Sequence, residues 1–225
     1  MTRIALLLFP EITQLDLTGP YEVFCRMPDV KVDLVWKDRG PVRTEHGLHL
    51  QASQRFDEVS TVDVLCVPGG FGVNALLTDP ETLSFVRRVA ASARYVTSVC
   101  SGALILGAAG LLKGKRATTH WAATQYLADF GAIETKGRLV RDGTLITGGG
   151  VTAGIDLALQ VAAELHGQDC AEAIQLMIEY NPAPPFDAGH PERARPELVN
   201  QIRSNLAEAQ KRRQQQIKAA LAATN

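Results

Sequence analysis

Cys100 stands where a β-branched run, Val96-Thr97-Ser98-Val99, gives way to the small residues Ser101-Gly102-Ala103 and then to a helical apolar pattern. A strand that ends in a tight turn, with a helix starting directly behind it, has the form of a nucleophile elbow. Such a turn exposes the sulfur and aims backbone N–H groups and the positive end of the helix dipole at it, both of which favour the reactive thiolate. The competing reading is a structural cysteine, since free Cys is among the most buried residue types. Asp16, in Gln14-Leu15-Asp16-Leu17-Thr18-Gly19-Pro20, is a carboxylate between two leucines. A charge so flanked must be paired, capping or functional. Asp16 either caps a helix beginning near Pro20 or faces Cys100, where partial burial would raise its pKa and fit it to shuttle protons.

Two further segments carry candidate chemistry. Gly69, Gly70 and Gly72, in Pro68-Gly69-Gly70-Phe71-Gly72, form either a tight strand-to-helix turn or an oxyanion pocket in which backbone N–H groups approach a substrate atom held at Cys100. No G-x-x-x-x-G-K-[ST] pattern accompanies them, so a nucleotide cradle is not indicated. Of the five histidines, His120 in Ala117-Thr118-Thr119-His120-Trp121 alone has surroundings that suit a site. Packing beside Trp121 explains it equally well.

Short apolar runs at residues 4–9, 30–36, 62–67, 95–99 and 144–147 alternate with helical or turn-rich sequence, which argues for a mostly parallel sheet covered on both faces. Helices are expected over 20–26, 74–77, 80–93, 102–109, 122–127, 154–166 and 170–179, with an antiparallel excursion over 42–51 around Gly47. Three glycine-rich turns, at 68–72, 102 and 148–150, follow predicted strands at their C-terminal ends, where open α/β sheets bind ligands. The segment 181–189 is too proline-rich for helix or central strand and is expected to wrap the surface or a neighbouring subunit. Beyond it, Leu198, Ile202, Leu206, Ala209, Ile217 and Leu221 form an intermittent stripe on a polar helix, of the kind that packs on its own body or on a partner.

The 225 residues, 46% hydrophobic and 21% charged, suffice for one sizeable α/β core, here assigned to residues 1–190 with a helical extension over 191–225. A formal net charge of −1 offers no footprint for nucleic acid or an anionic membrane, and the basic cluster Lys211-Arg212-Arg213 reads as a solvated helix face. The apolar run at 4–9 is too short for a membrane span and lacks a cleavage-site pattern, so a cytoplasmic protein is expected. The four cysteines form no C-x-x-C pair and no metal-spaced cluster, so reduced thiols without disulfide or zinc are expected.

The residues Asp16-Leu17-Thr18-Gly19-Pro20, Val67-Pro68-Gly69-Gly70, Ser98-Val99-Cys100-Ser101-Gly102, Ala117-Thr118-Thr119-His120-Trp121 and Gly148-Gly149-Gly150-Val151-Thr152-Ala153-Gly154-Ile155-Asp156 resemble the ThiJ/PfpI superfamily and, within it, the isonitrile hydratase branch. The resemblance spans about residues 3–190. It implies a flavodoxin-like three-layer sandwich, a homodimer, no cofactor and a small isonitrile substrate. It further implies Cys100 as nucleophile, Asp16 as the group that handles protons, and Ser101 beside them, with Gly69, Gly70, His120, Gly150 and Val151 around the substrate. Ser101 departs from the threonine common in that branch: it keeps the hydroxyl and loses the methyl that restrains its rotamer. Many relatives carry histidine at that position, so Ser101 weighs against a protease or glyoxalase. The rival readings are a glyoxalase or deglycase using the same cysteine, a cysteine oxidation sensor, and a ligand-binding regulator.

Overall fold

A computed structural model describes residues 1–223. In chain order the elements are β1 (Thr2–Leu7), α1 (Gln14–Phe24), β2 (Val30–Trp36), β3 (Pro41–Arg43), β4 (His49–Gln51), β5 (Gln54–Arg55), β6 (Val64–Val67), α2 (Val73–Leu76), α3 (Pro80–Ala90), β7 (Tyr95–Ser98) and α4 (Gly102–Ala108). There follow β8 (Arg116–Ala117), β9 (Ile133–Glu134), β10 (Leu139–Asp142), β11 (Leu145–Gly148), α5 (Ala153–His166), α6 (Gln168–Met177) and α7 (Pro196–Ala222).

Seven strands form the central sheet in the order β10-β11-β7-β6-β1-β2-β5. All neighbours run parallel except β10, which pairs antiparallel with β11 as an edge hairpin. Continuous apolar runs suit strands buried on both faces, and β6 is buried throughout. Helices α1, α5 and α6 pack together, while α2, α3, α4 and α7 pack with one another elsewhere on the molecule. The α1–α5 contact is close: a Cβ on Gly154 would lie 3.0 Å from the Pro20 ring. The fold is a flavodoxin-like α/β sandwich. From β1 the chain steps one way to β2 and the other way to β6, so the strand order reverses beside β1. The loops leaving β1, β6, β7 and β11 emerge together at that end, where such sheets bind ligands.

The structure departs from the expected elements at three places. Helix α1 begins at Gln14, six residues before the expected start, with Thr13 at its N-cap and Pro20 inside it. Asp16 therefore lies in the first turn and is not the cap. A proline that marks a first turn in isolation is tolerated within this helix because its face packs tightly on α5. Residues 122–127 form no α-helix; two short 3₁₀ turns, Thr124–Tyr126 and Ala128–Phe130, end at Gly131 with φ 71°. The cluster Lys211-Arg212-Arg213 is not uniformly solvated, since Arg213 is buried and points inward. The hairpin of β3 and β4 around Gly47 matches the expected excursion.

Candidate active site

The site is assembled at the ends of four adjacent strands. Cys100 follows β7 with φ 54°, a left-handed conformation that costs an L-residue about 1–2 kcal/mol. Its N–H is shared between the carbonyls of Gly148 (3.2 Å) and Gly149 (2.8 Å), and its carbonyl accepts the Thr119 hydroxyl at 2.6 Å. These bonds tie the elbow to β11 and to the segment after β8, and hold the strained backbone in place. Gly102 is required by close approach, because a Cβ there would come within 2.0 Å of the Val67 carbonyl oxygen. The Ser101 N–H is directed at the Cys100 sulfur.

Asp16 is fully buried. Its Oδ2 accepts the Gly69 N–H at 2.9 Å, while Oδ1 has no hydrogen bond of ordinary geometry. Desolvation raises its pKa from 3.8 to about 7, against the lowering effects of the Gly69 N–H and the Cys100 thiol. Burial likewise pushes the Cys100 thiol well above its ordinary range, reinforced by the Asp16 charge and opposed by the Ser101 N–H and Arg213. Both groups thus resist ionisation, and the resting pair shares one negative charge at most. The sequence predicts a thiolate stabilised by the elbow; here dehydration and the facing carboxyl outweigh the backbone donors. The other buried cysteine, Cys66 in β6, is fully buried and pushed up to about 12 by desolvation, which makes it inert packing.

Above Cys100 lies a cavity of about 290 Å³. Cys100, Ser101, Gly70, His120 and Val151 line it. Asp16 and Gly69 do not; they sit beneath the floor, and the Gly69 N–H is committed to the carboxylate. A Cβ on Gly69 would fall 2.7 Å from Asp16 Oδ2 and 2.6 Å from the Ser101 nitrogen, so the bare backbone is what lets the three meet. The Gly70 N–H, expected to face substrate, donates to Ser101 Oγ at 3.1 Å, and the Ser101 hydroxyl donates back to the Gly70 carbonyl at 3.3 Å. Gly150 lines the adjoining cleft, behind His120, whose ring carbon would lie 3.4 Å from a Cβ there. His120 Nδ1 accepts the Ala122 N–H at 3.2 Å, so its remaining ring proton is on Nε2. Burial, then the Arg213 charge, lowers its pKa to about 4, which keeps the ring neutral at pH 7.

The match of residues 2–164 to the DJ-1/PfpI family model decides the relationship. The chain belongs to the DJ-1/PfpI family. An isonitrile hydratase from Pseudomonas putida is 56% identical over 211 residues, which cover 94% of this chain and 92% of that protein. The crystal structure of a ThiJ/PfpI family protein from Pseudomonas syringae superposes with a TM-score of 0.93 at 44% identity, covering 96% of this chain and 90% of that one. The helix-turn-helix transcriptional regulator CdhR of Pseudomonas aeruginosa is 31% identical over 136 residues, 60% of this chain but only 40% of the regulator.

Beyond the family-matched span, sequence reasoning missed the cavity's far wall. Ile202, Leu206, Ala209, Gln210 and Arg213 of α7 line it. The helix is anchored by Arg213 Nε to Asn74 Oδ1 (2.8 Å), Gln210 Nε2 to the Ala122 carbonyl (3.0 Å) and the Tyr126 hydroxyl to the Gln210 carbonyl (3.3 Å). The polar heptads of α7 gave no signal of this. Only a lone inward arginine in line with Ile202, Leu206 and Ala209 could have.

Proposed function

We propose that the protein is an isonitrile hydratase, adding water to an isonitrile to give an N-substituted formamide through a Cys100 thioimidate. The observation that carries this reading is the 56% identity to the Pseudomonas putida isonitrile hydratase across nearly the whole of both chains. The paired Cys100 and Asp16 beneath an apolar cavity supply chemistry that fits it.

Asp16 takes the thiol proton as the sulfur attacks the isonitrile carbon, then gives that proton to the same carbon. The product is R–N=CH–S–Cys100, and no net charge is created in the dry site. A carboxyl with a pKa near 7 is matched to both halves of this exchange. Water then adds to the thioimidate carbon: one of its protons passes by way of Asp16 to the nitrogen, and the C–S bond breaks as the second returns through Asp16 to sulfur. The formamide R–NH–CHO leaves and the thiol is restored. Ser101 Oγ uses its proton and one lone pair on Gly70, which leaves a second lone pair to orient the attacking water. A peroxide sensor needs a ready thiolate, which burial and the facing Asp16 carboxyl disfavour at Cys100.

Residues 1–190 form the catalytic domain in this reading, and 191–225 the extension that completes its cavity. A homodimer is part of the proposal. Leu176, Met177 and Phe186, at 81%, 70% and 80% exposure around the proline-rich segment, offer apolar surface for a partner. A cytoplasmic location, where Cys100 stays reduced, suits the chemistry. The test is formamide production from para-nitrophenyl isocyanide, followed by absorbance, for the wild type beside Cys100→Ala. Turnover confined to the wild type supports the scheme, and equal rates would overturn it.

A further inference from the structure

Arg213 is 9% exposed, yet among the described residues no carboxylate stands close enough to pair with it. Its Nε donates to Asn74 Oδ1, and no hydrogen bond engages either Nη group. Neither Nη nitrogen is sealed away without a partner, and Arg213 lines the cavity that holds Cys100. A buried guanidinium without a counter-ion is costly and rare, and its planar pair of donors matches a carboxylate. The one carboxylate lining the cavity, Glu45, is on a different wall, where it accepts the Thr13 hydroxyl at 3.0 Å. Phe71, Trp121 and Leu206 line the same cavity.

Resting on the hydratase reading, we propose that Arg213 determines specificity, and that the preferred substrate is an isonitrile bearing a carboxylate at the end remote from the isonitrile carbon. The carboxylate takes the free Nη donors, the body lies on the apolar wall, and the isonitrile carbon meets Cys100. Asn74 fixes the guanidinium so that the fork is presented before substrate arrives.

The test compares kcat/KM for 4-isocyanobenzoate and phenyl isocyanide in the wild type, Arg213→Gln and Arg213→Lys. The ratio cancels any effect of the arginine on Cys100 that is common to both substrates. The wild type should favour the carboxylate, Arg213→Gln should cut that preference about 10- to 100-fold, and Arg213→Lys should keep part of it. An unchanged ratio in Arg213→Gln, or no preference in the wild type, overturns the proposal. Thermal melting identifies a misfolded Arg213→Gln, in which case the Arg213→Lys ratio decides. Binding is read independently of turnover by protection of Cys100 from iodoacetamide with 4-formamidobenzoate against formanilide. Arg213-dependent protection by the carboxylate alone, without turnover of either isonitrile, upholds the anion site and sinks the hydratase reading. Turnover without carboxylate preference does the reverse.

Discussion

Replacing Asp16 by asparagine should stabilise the protein at neutral pH while stopping hydration. The displacement of the Asp16 pKa from 3.8 to about 7 corresponds, at 1.36 kcal/mol per pH unit, to about 4 kcal/mol held against the charged form. The folded protein binds this proton more tightly than the unfolded chain does. Its contribution is therefore fully present below about pH 4 and is lost as pH rises through 7. Asparagine keeps an oxygen for the Gly69 N–H and carries no charge, but its amide N–H₂ has no acceptor where Oδ1 now lacks a hydrogen bond, a cost of about 1–3 kcal/mol. The net gain above pH 7 is about 1–3 kcal/mol. Urea unfolding of both proteins from pH 4 to pH 8 isolates the effect, because the titrations outside the Asp16–Cys100 pair are common to both and burial keeps the Cys100 thiol raised in either. The stability of Asp16→Asn minus that of the wild type should grow by about 4 kcal/mol across the range. A difference that stays flat with pH would refute the claim that burial holds the carboxylate at this cost.

Cys100→Ala should fold and lose turnover, and Cys100→Gly should be more stable than Cys100→Ala by about 1–2 kcal/mol, since glycine relieves the φ of 54°; denaturant midpoints of the two variants give the comparison. Asp16→Asn should alkylate faster with iodoacetamide at pH 8 than the wild type, because the carboxylate that raises the thiol pKa is gone; a slower rate would contradict that arrangement. Ser101→Ala leaves the Gly70 N–H without its acceptor and should cost about 1–3 kcal/mol by urea unfolding. Gly102→Ala should cost about 3 kcal/mol or more, read as a fall in thermal midpoint, since its Cβ meets the Val67 carbonyl at 2.0 Å.

The parallel sheet was legible because its strands are buried on both faces and read as unbroken apolar runs. The elbow was legible because a β-branched run that breaks at a cysteine and small residues, with a helical pattern directly behind, has the form of a tight strand-to-helix turn. Of the two readings of Asp16, the cap arises because Pro20 imitates a helix start, and only contact with α5 shows that the helix runs through it. The ionisation state of Cys100 was misjudged for a different reason. Local sequence displays the donors that stabilise a thiolate but not the dehydration and the facing carboxyl that oppose them. Gly69 was assigned to the substrate, yet its N–H holds Asp16, a partnership between residues 53 positions apart that no local pattern encodes. Arg213 was hidden by its company, lying beside Lys211 and Arg212, both exposed.

The wall contributed by α7 lies wholly outside the span that matches the family, residues 2–164. The Cys100–Asp16 pair and the far wall of the cavity are thus carried by separable stretches of chain. Substitutions along one face of a single C-terminal helix can re-aim the pocket while the elbow, the buried carboxyl and the glycines that bring them together go untouched. Descendants of such a protein have an inexpensive evolutionary route to new substrates, in which drift in α7 is screened by selection while the reaction itself is inherited unchanged.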